Sequence, residues 1–243
     1  MKNYVLGSLL ALAAAPMVAC TTSTTDAHIA ASWSFKTLAT NSTTGCPSGF
    51  DTAALYTQAA DASGAPIGTC TAASATCFID LFNCTDNSGV SAPLPPQNYI
   101  TWLEVTDHSG ATVYAQSLSQ IVDVTDVDKA VTFPILNDGG YFELAWNLVG
   151  AVSNSTLSCS VAPGGVEAVS TVSGTSQMVS DIFTCSDGSG VTAPLLAAAY
   201  TVSVDAMNSA MQAVGVAPAI NGTVQVQNQV TKLGTITIPI DGM

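Results

Sequence analysis

Cys84-Thr-Asp-Asn-Ser-Gly-Val-Ser-Ala-Pro-Leu94 returns as Cys185-Ser-Asp-Gly-Ser-Gly-Val-Thr-Ala-Pro-Leu195, at an offset of 101 residues, and Tyr99 and Tyr200 keep the same register. Working outward, Trp33 precedes Cys46 by the same 13 residues that separate Trp146 from Cys159. Phe133-Pro134-Ile135 likewise matches Ile238-Pro239-Ile240. The chain therefore contains two copies of one unit, expected over residues 27–138 and 140–243. Asn137-Asp138-Gly139-Gly140 reads as a turn-like joint between them.

Each copy reads as strands. Ile29, Ala31, Trp33 and Phe35 alternate with polar or small residues, as do Phe142, Leu144, Trp146 and Leu148, which is the period of a half-buried strand. Tyr200, Val202 and Val204 form a third such row. Further short runs cover residues 77–84, 111–116, 120–127, 131–135, 224–229 and 235–240, punctuated by Gly, Pro, Asn and Asp. Roughly seven strands per copy predict an all-β chain of two tandem antiparallel β-sandwiches of immunoglobulin-like or transthyretin-like type. Pro96-Gln-Asn-Tyr99-Ile-Thr-Trp followed by Asp107-His-Ser-Gly110 also resembles the G-x-Y-x-V and D-x-x-G pattern of carboxypeptidase-regulatory-like surface sandwich repeats. Pro-Gln-Asn stands where that pattern has Gly before Tyr99, and Ala198-Ala199 before Tyr200, so the resemblance implies a fold and nothing more specific.

The seven cysteines sort by the repeat. Cys46 with Cys84 and Cys159 with Cys185 hold equivalent places, which predicts one disulfide per sandwich, in an oxidising compartment. Closing loops of 38 and 26 residues stabilises each by roughly 3–4 kcal/mol in the chain-entropy model. Cys70 and Cys77 fall in an insertion peculiar to the first copy and read as a local clasp. Zinc is the alternative for these cysteines, but there is no CxxC pair, and His28 and His108 lie far off in the chain.

Cys20 is the odd thiol. Lys2, the apolar stretch from Val5 to Ala15 and the polar run after residue 20 form a secretory signal layout, with residues 1–19 as the signal peptide. The apolar run is about half the ~20 residues of a membrane-spanning helix. Val18-Ala19-Cys20 resembles the lipobox of bacterial lipoproteins, with Met17 where Leu is usual. That resemblance implies a diacylglyceryl group on the Cys20 sulfur, cleavage before it, and acylation of the new amine, as by palmitate. Residues 20–26 would then be a lipidated tether. Thr21, rather than Asp, after the Cys resembles the sorting signal for retention in the outer membrane. An ordinary cleaved signal peptide is the other reading, although Met17 and Ala19 do not make an A-x-A site.

Composition bounds the partners. Four Lys, no Arg and 17 carboxylates give a formal charge of −13, which argues against nucleic acid. With 48% hydrophobic and 9% charged residues, the chain does not have the composition of a disordered one. No catalytic motif is present: there is no G-x-S-x-G, HExxH or P-loop. His28, placed in the tether region, and His108, in Asp-His-Ser-Gly, read as solvated turn residues. Glu104, Glu143 and Glu167 read as strand surface. Asp123, Asp126 and Asp128 are the weak calcium candidates, a cluster also consistent with strand surface and turns. No cofactor or resident metal is expected. Asp86-x-Ser-Gly and Asp187-x-Ser-Gly read as tight turns.

One asymmetry separates the copies. Tyr99, Thr101, Leu103 and Val105 align with Tyr200, Val202, Val204 and Ala206 as an inward face, so Ile100 and Trp102 face outward where the second copy has Thr201 and Ser203. An outward apolar pair implies a contact, with the second copy, with the Cys70–Cys77 loop, or with a ligand. The function expected is a lipid-anchored cell-envelope protein acting as a non-catalytic structural or adhesive surface module. The alternatives are a glycan- or peptide-binding module using the Ile100/Trp102 surface, and an envelope enzyme with an unrecognised site. The partners expected are the membrane, through the lipid, and an envelope protein or glycan.

Overall fold

The computed structural model describes residues 27–71, 74–125, 127–226 and 229–242. The signal peptide, Cys20, the tether of residues 20–26 and Asp126 lie outside the described residues.

The regular structure of the described chain is almost entirely strand. The first nine strands are β1 (Ile29–Thr37), β2 (Ser42–Thr44), β3 (Thr52–Ala60), β4 (Cys77–Asn83), β5 (Ser88–Val90), β6 (Gln97–Thr106), β7 (Val113–Gln116), β8 (Gln120–Val124) and β9 (Lys129–Leu136). The next nine are β10 (Gly139–Gly150), β11 (Gly165–Val172), β12 (Met178–Phe183), β13 (Ser189–Val191), β14 (Leu195–Leu196), β15 (Ala199–Met207), β16 (Ala213–Val216), β17 (Ile220–Thr223) and β18 (Val230–Ile240).

Each half stacks two layers. In the first half, β1 pairs with β2 and β5 on one side and with β9 on the other, while β4-β3-β6 with β7 and β8 form the facing sheet. The second half repeats this plan: β10 pairs with β13, β14 and β18, and faces β12-β11-β15 with β16 and β17. There a single pair, Gly215 opposite Ile240, joins the two layers at one edge. Every strand pairing stays within its own nine strands. Each half also has its own apolar cluster, one around Phe35, Leu55, Tyr99 and Phe133, the other around Phe142, Leu144, Tyr200 and Ile238.

Pairing is antiparallel except at one place per half. β1 runs parallel to β9, from Ile29 opposite Lys129 to Lys36 opposite Leu136, and β10 runs parallel to β18, from Tyr141 opposite Val230 to Gly150 opposite Ile240. The first and last strands of each half are thus side by side. Pro134 lies on β9, whose one strand partner among the described residues is β1, and an edge strand is where a missing N–H is tolerated.

The repeated motif becomes legible in three dimensions. Cys84–Asp86 and Cys185–Asp187 form short 3-10 turns, ended by Asn87 (φ 55°) and Gly188 (φ 68°) in the left-handed region. Behind each turn the indole Nε1 of Trp33 donates to Cys84 O at 2.8 Å, and that of Trp146 to Cys185 O at 3.0 Å. Phe82 packs on Trp33 with ring centroids 5.9 Å apart, and Phe183 on Trp146 at 5.5 Å. Gly89 and Gly190 sit against those phenylalanine rings, so close that a Cβ on either would enter the ring's space. The Gly of Ser-Gly-Val is therefore a packing requirement inside β5 and β13, not the turn residue the sequence implies. Tyr99 and Tyr200 fix the other end of the motif, donating to Pro95 O (2.8 Å) and Leu196 O (2.9 Å), the geometry of a tyrosine corner.

Three disulfides join Cys46 to Cys84, Cys70 to Cys77 and Cys159 to Cys185. The joint between the halves is shorter than the four residues suggested by its sequence. Gly139 and Gly140 belong to β10, opposite Leu196 and Leu195, and a Cβ on Gly140 would lie 2.6 Å from Gln229 O. Only Asn137 and Asp138 connect β9 to β10. Elsewhere three expected strands are trimmed. The run from residue 111 begins pairing at Val113, and the run from 120 stops at Val124, where the Asp123 carboxylate accepts Thr125 N and turns the chain. Val224 leaves the ladder to donate to Ala198 O, so the final strand starts at Val230 rather than following a separate run at 224–229.

Candidate functional site

The outward face of the β4-β3-β6-β8 sheet carries the residues that distinguish the halves. Period two along β6 sends Tyr99, Thr101, Leu103 and Val105 into the core, where all are fully buried, and leaves Ile100, Trp102 and Glu104 outside. Register places Tyr56 of β3 opposite Trp102, Ile79 of β4 opposite Tyr56, and Ile121 of β8 opposite Ile100. Leu81 and Ile121, on the two sides of this face, are 68% and 64% exposed.

Tyr56 and Trp102 stack in parallel, with centroids 5.0 Å apart and 6° between the planes. Trp102 Nε1 donates to Glu104 Oε1 at 3.1 Å. Burial raises the Tyr56 hydroxyl above its ordinary pKa, and the negative charge of the nearby Glu104 carboxylate raises it further. The cluster is self-contained: two aromatic rings and the acceptor for their polar ends come from neighbouring strands of one sheet. Sequence reasoning identified Ile100 and Trp102 but missed Tyr56, because Ala-rich β3 shows no alternation. The enlarged loop also reaches this face, since Gly64 sits against Ile121 Cδ1.

In the second half Val169 opposite Ser203 stands where the first has Tyr56 opposite Trp102, and two residues along a carboxylate pair stands where the first has Ala54 opposite Glu104. Glu167 and Asp205 are direct cross-strand neighbours, and Ser180 Oγ donates to Glu167 Oε1 at 2.6 Å. Desolvation, and then repulsion from Glu167, raise the Asp205 pKa.

The remaining candidates are dispersed. Asp128 Oδ1 accepts His28 N at 2.8 Å, whereas Asp123 accepts Thr125 N, so these two carboxylates serve different backbone segments. His28 is not in a tether. It is half-buried beside β1, with Nδ1 2.9 Å from Ser91 O. His108 is exposed, 3.4 Å from Asp51. Its neighbour Asp107 is held at about 2, chiefly by the Ser109 hydroxyl. Glu143 lies 3.6 Å from Lys232 on the surface. Among the described residues no three His, Cys, Asp or Glu side chains converge as metal ligands, and no helix is long and apolar enough to cross a membrane.

No protein-family model matches the chain, nor does any curated protein. Among solved structures it is similar to a leucine-rich repeat protein from Bacteroides thetaiotaomicron, at 13% identity and a TM-score of 0.39 over 89% of this chain. The chain spans only 26% of that protein's length. A minor pilin of Streptococcus agalactiae matches at 11% identity and a TM-score of 0.31, with 89% of this chain and 97% of the pilin covered. The fimbrial anchor protein Mfa2 from Porphyromonas gingivalis matches at 8% identity and a TM-score of 0.30, with 90% and 98% covered. TM-scores this far below 0.5 leave function to the chain's own surfaces.

Proposed function

We propose that this chain is a lipid-anchored protein of the cell outer membrane, a non-catalytic structural or adhesive surface module that meets an envelope partner through the Tyr56/Ile100/Trp102 face. The observation that carries the proposal is the asymmetry of two otherwise matching halves. Both preserve the bridge, the Trp–Phe–Gly packing and the tyrosine corner, and both expose an aliphatic side chain at the same outer position (Leu81 and Ile182), while among the described residues only the first lays an aromatic pair, Tyr56 on Trp102, across that outward face beside exposed Ile121. Core residues are held in common by packing, so a difference confined to an outward face points to contact outside the fold. Three disulfides fit an exported location. A narrower version makes the same face a glycan- or peptide-binding site, with the partly exposed Trp102 ring as its platform.

Two measurements test the reading. Mass spectrometry of the protein from its native envelope should find a chain beginning at Cys20 with added acyl mass, and an unmodified terminus elsewhere would refute the anchor. Trp102→Ala should keep the unfolding midpoint close to wild type, with the lipid anchor intact, while the envelope component that the wild-type protein recovers in a pull-down is lost. Unchanged recovery of that component would refute the surface.

A further inference from the structure

The placement of β1 beside β9 and of β10 beside β18 sets how each half meets tension. The chain enters the first half at the N-terminal end of β1 and leaves at the C-terminal end of β9. Because the two strands are parallel neighbours, pulling the chain ends apart slides one strand along the other. All eight registered pairs from Ile29/Lys129 to Lys36/Leu136 then resist together. The second half repeats the arrangement with ten pairs between β10 and β18. Had either terminal pair been antiparallel with adjacent ends, its hydrogen bonds would open one at a time.

The joint passes the pull on without slack. Asn137 N donates to Lys36 O at 2.9 Å, and both Asp138 carboxylate oxygens accept from the first half, from Leu38 N (2.6 Å) and Ala39 N (2.9 Å). Asp138 O accepts Ala197 N of the second half at 2.8 Å. Gln229, fully buried, donates through Nε2 to Leu136 O at 2.6 Å. The bridges limit what is released if a ladder fails, since the chain between Cys46 and Cys84 and that between Cys159 and Cys185 cannot extend.

We infer that the two parallel terminal ladders are mechanical clamps, and that the chain serves as a tension-resisting tether between whatever holds its two ends. Its use at a membrane rests on the anchor proposed above. The clamps themselves do not, and they are tested without lipid.

The experiment is single-molecule force spectroscopy on the full chain, held at its two ends without reductant. Of the 108 residues from Ile29 to Leu136 the bridge hides 38, leaving about 70, and of the 102 from Gly139 to Ile240 it hides 26, leaving about 76. At about 3.5 Å per residue, less the roughly 25–40 Å that each folded half already spans along its terminal strands, each rupture should release roughly 220–230 Å, rising to roughly 320–350 Å after reduction. Ser34→Pro, in the middle of the β1–β9 ladder, should lower the force of one rupture at least two-fold and leave the other unchanged. Ser32→Gly is the milder ladder variant if the proline chain does not fold. The control is Leu103→Ala, in the core on β6 and off the force path. If Leu103→Ala lowers the rupture force as much as a ladder variant of equal denaturant stability, force follows overall stability and the clamp is refuted. Release of each half in many small steps would refute it as well.

Discussion

Gly89→Ala separates two explanations of the repeated Ser-Gly-Val by sign. Gly89 lies in β5 outside the left-handed region, so alanine meets no backbone penalty there. If the backbone were the whole story, alanine would stabilise by about 0.5–1 kcal/mol through lost freedom in the unfolded chain. The structure says otherwise, because the new Cβ would lie 2.5 Å from two carbons of the Phe82 ring. Phe82 cannot yield freely, since its other contact is Trp33, whose indole is tied to Cys84 O. Overpacking of this kind costs about 1–3 kcal/mol, so the expected net effect is destabilisation by about 1–2 kcal/mol. Urea unfolding of the full chain without reductant measures it. In a Phe82→Leu background, where a smaller side chain makes room, the same Gly89→Ala change should become neutral or stabilising, giving a coupling energy of about 1–3 kcal/mol across the cycle. Gly190→Ala with Phe183→Leu should repeat the pattern. A stabilising Gly89→Ala in the wild-type background would refute the packing account.

Non-reducing peptide mapping should link Cys46 to Cys84, Cys70 to Cys77 and Cys159 to Cys185, and removal of either long-loop bridge should cost roughly 3–4 kcal/mol; a Cys46–Cys159 peptide would overturn the two-unit organisation. Residues 27–138 and 140–243, expressed separately under oxidising conditions, should each unfold cooperatively, since among the described residues no strand pair joins them; unfolded fragments that order only when mixed would refute this. The Asp205 carboxyl, with its pKa raised by burial and by Glu167, opposes folding once it is ionised. The stability it contributes when protonated is present below the ordinary Asp value of 3.8 and is lost as pH rises through its higher folded value. Asp205→Asn should therefore stabilise at pH 7 and lose that advantage below about pH 4, and equal effects at both pH values would refute the assignment.

The duplicated Cys84–Leu94 segment, the two tryptophans and the equivalent cysteines were legible because each depends on residue type at a fixed offset. β3 and β11 were not. Ala53, Ala54, Leu55, Thr57, Gln58, Ala59 and Ala60 are buried on both faces of β3, so the strand shows no alternation, and Tyr56, half of the aromatic pair, went unseen with it. Gly165–Val172 does alternate, with Val166, Ala168 and Ser170 inward and Glu167, Val169 and Thr171 outward, but a serine on the inner row and a valine on the outer blur the contrast. Gly89 and Gly190 were seen, but their reason lies in a ring seven residues earlier. Parallel closure of β1 on β9 leaves no local trace, because it is a relation between segments 100 residues apart. Outwardness of Ile100 and Trp102 followed from period two alone. The identity of their neighbours required the register.

That long-range closure also governs when each half becomes folded. β1 emerges first but has no parallel partner until Lys129–Leu136 follows, and loop-closure entropy must be met before those contacts form. With the Cys46–Cys84 bridge made early, the loop to be closed shortens from about 100 to about 62 residues, a saving of only about 0.4 kcal/mol from the logarithmic dependence on length. The bridge thus does little to hurry the search. Each half lacks its parallel ladder until its last strand arrives, with β1 held until then only by the short pairings to β2 and β5 and β10 by those to β13 and β14, and the first completes its topology without waiting for the second.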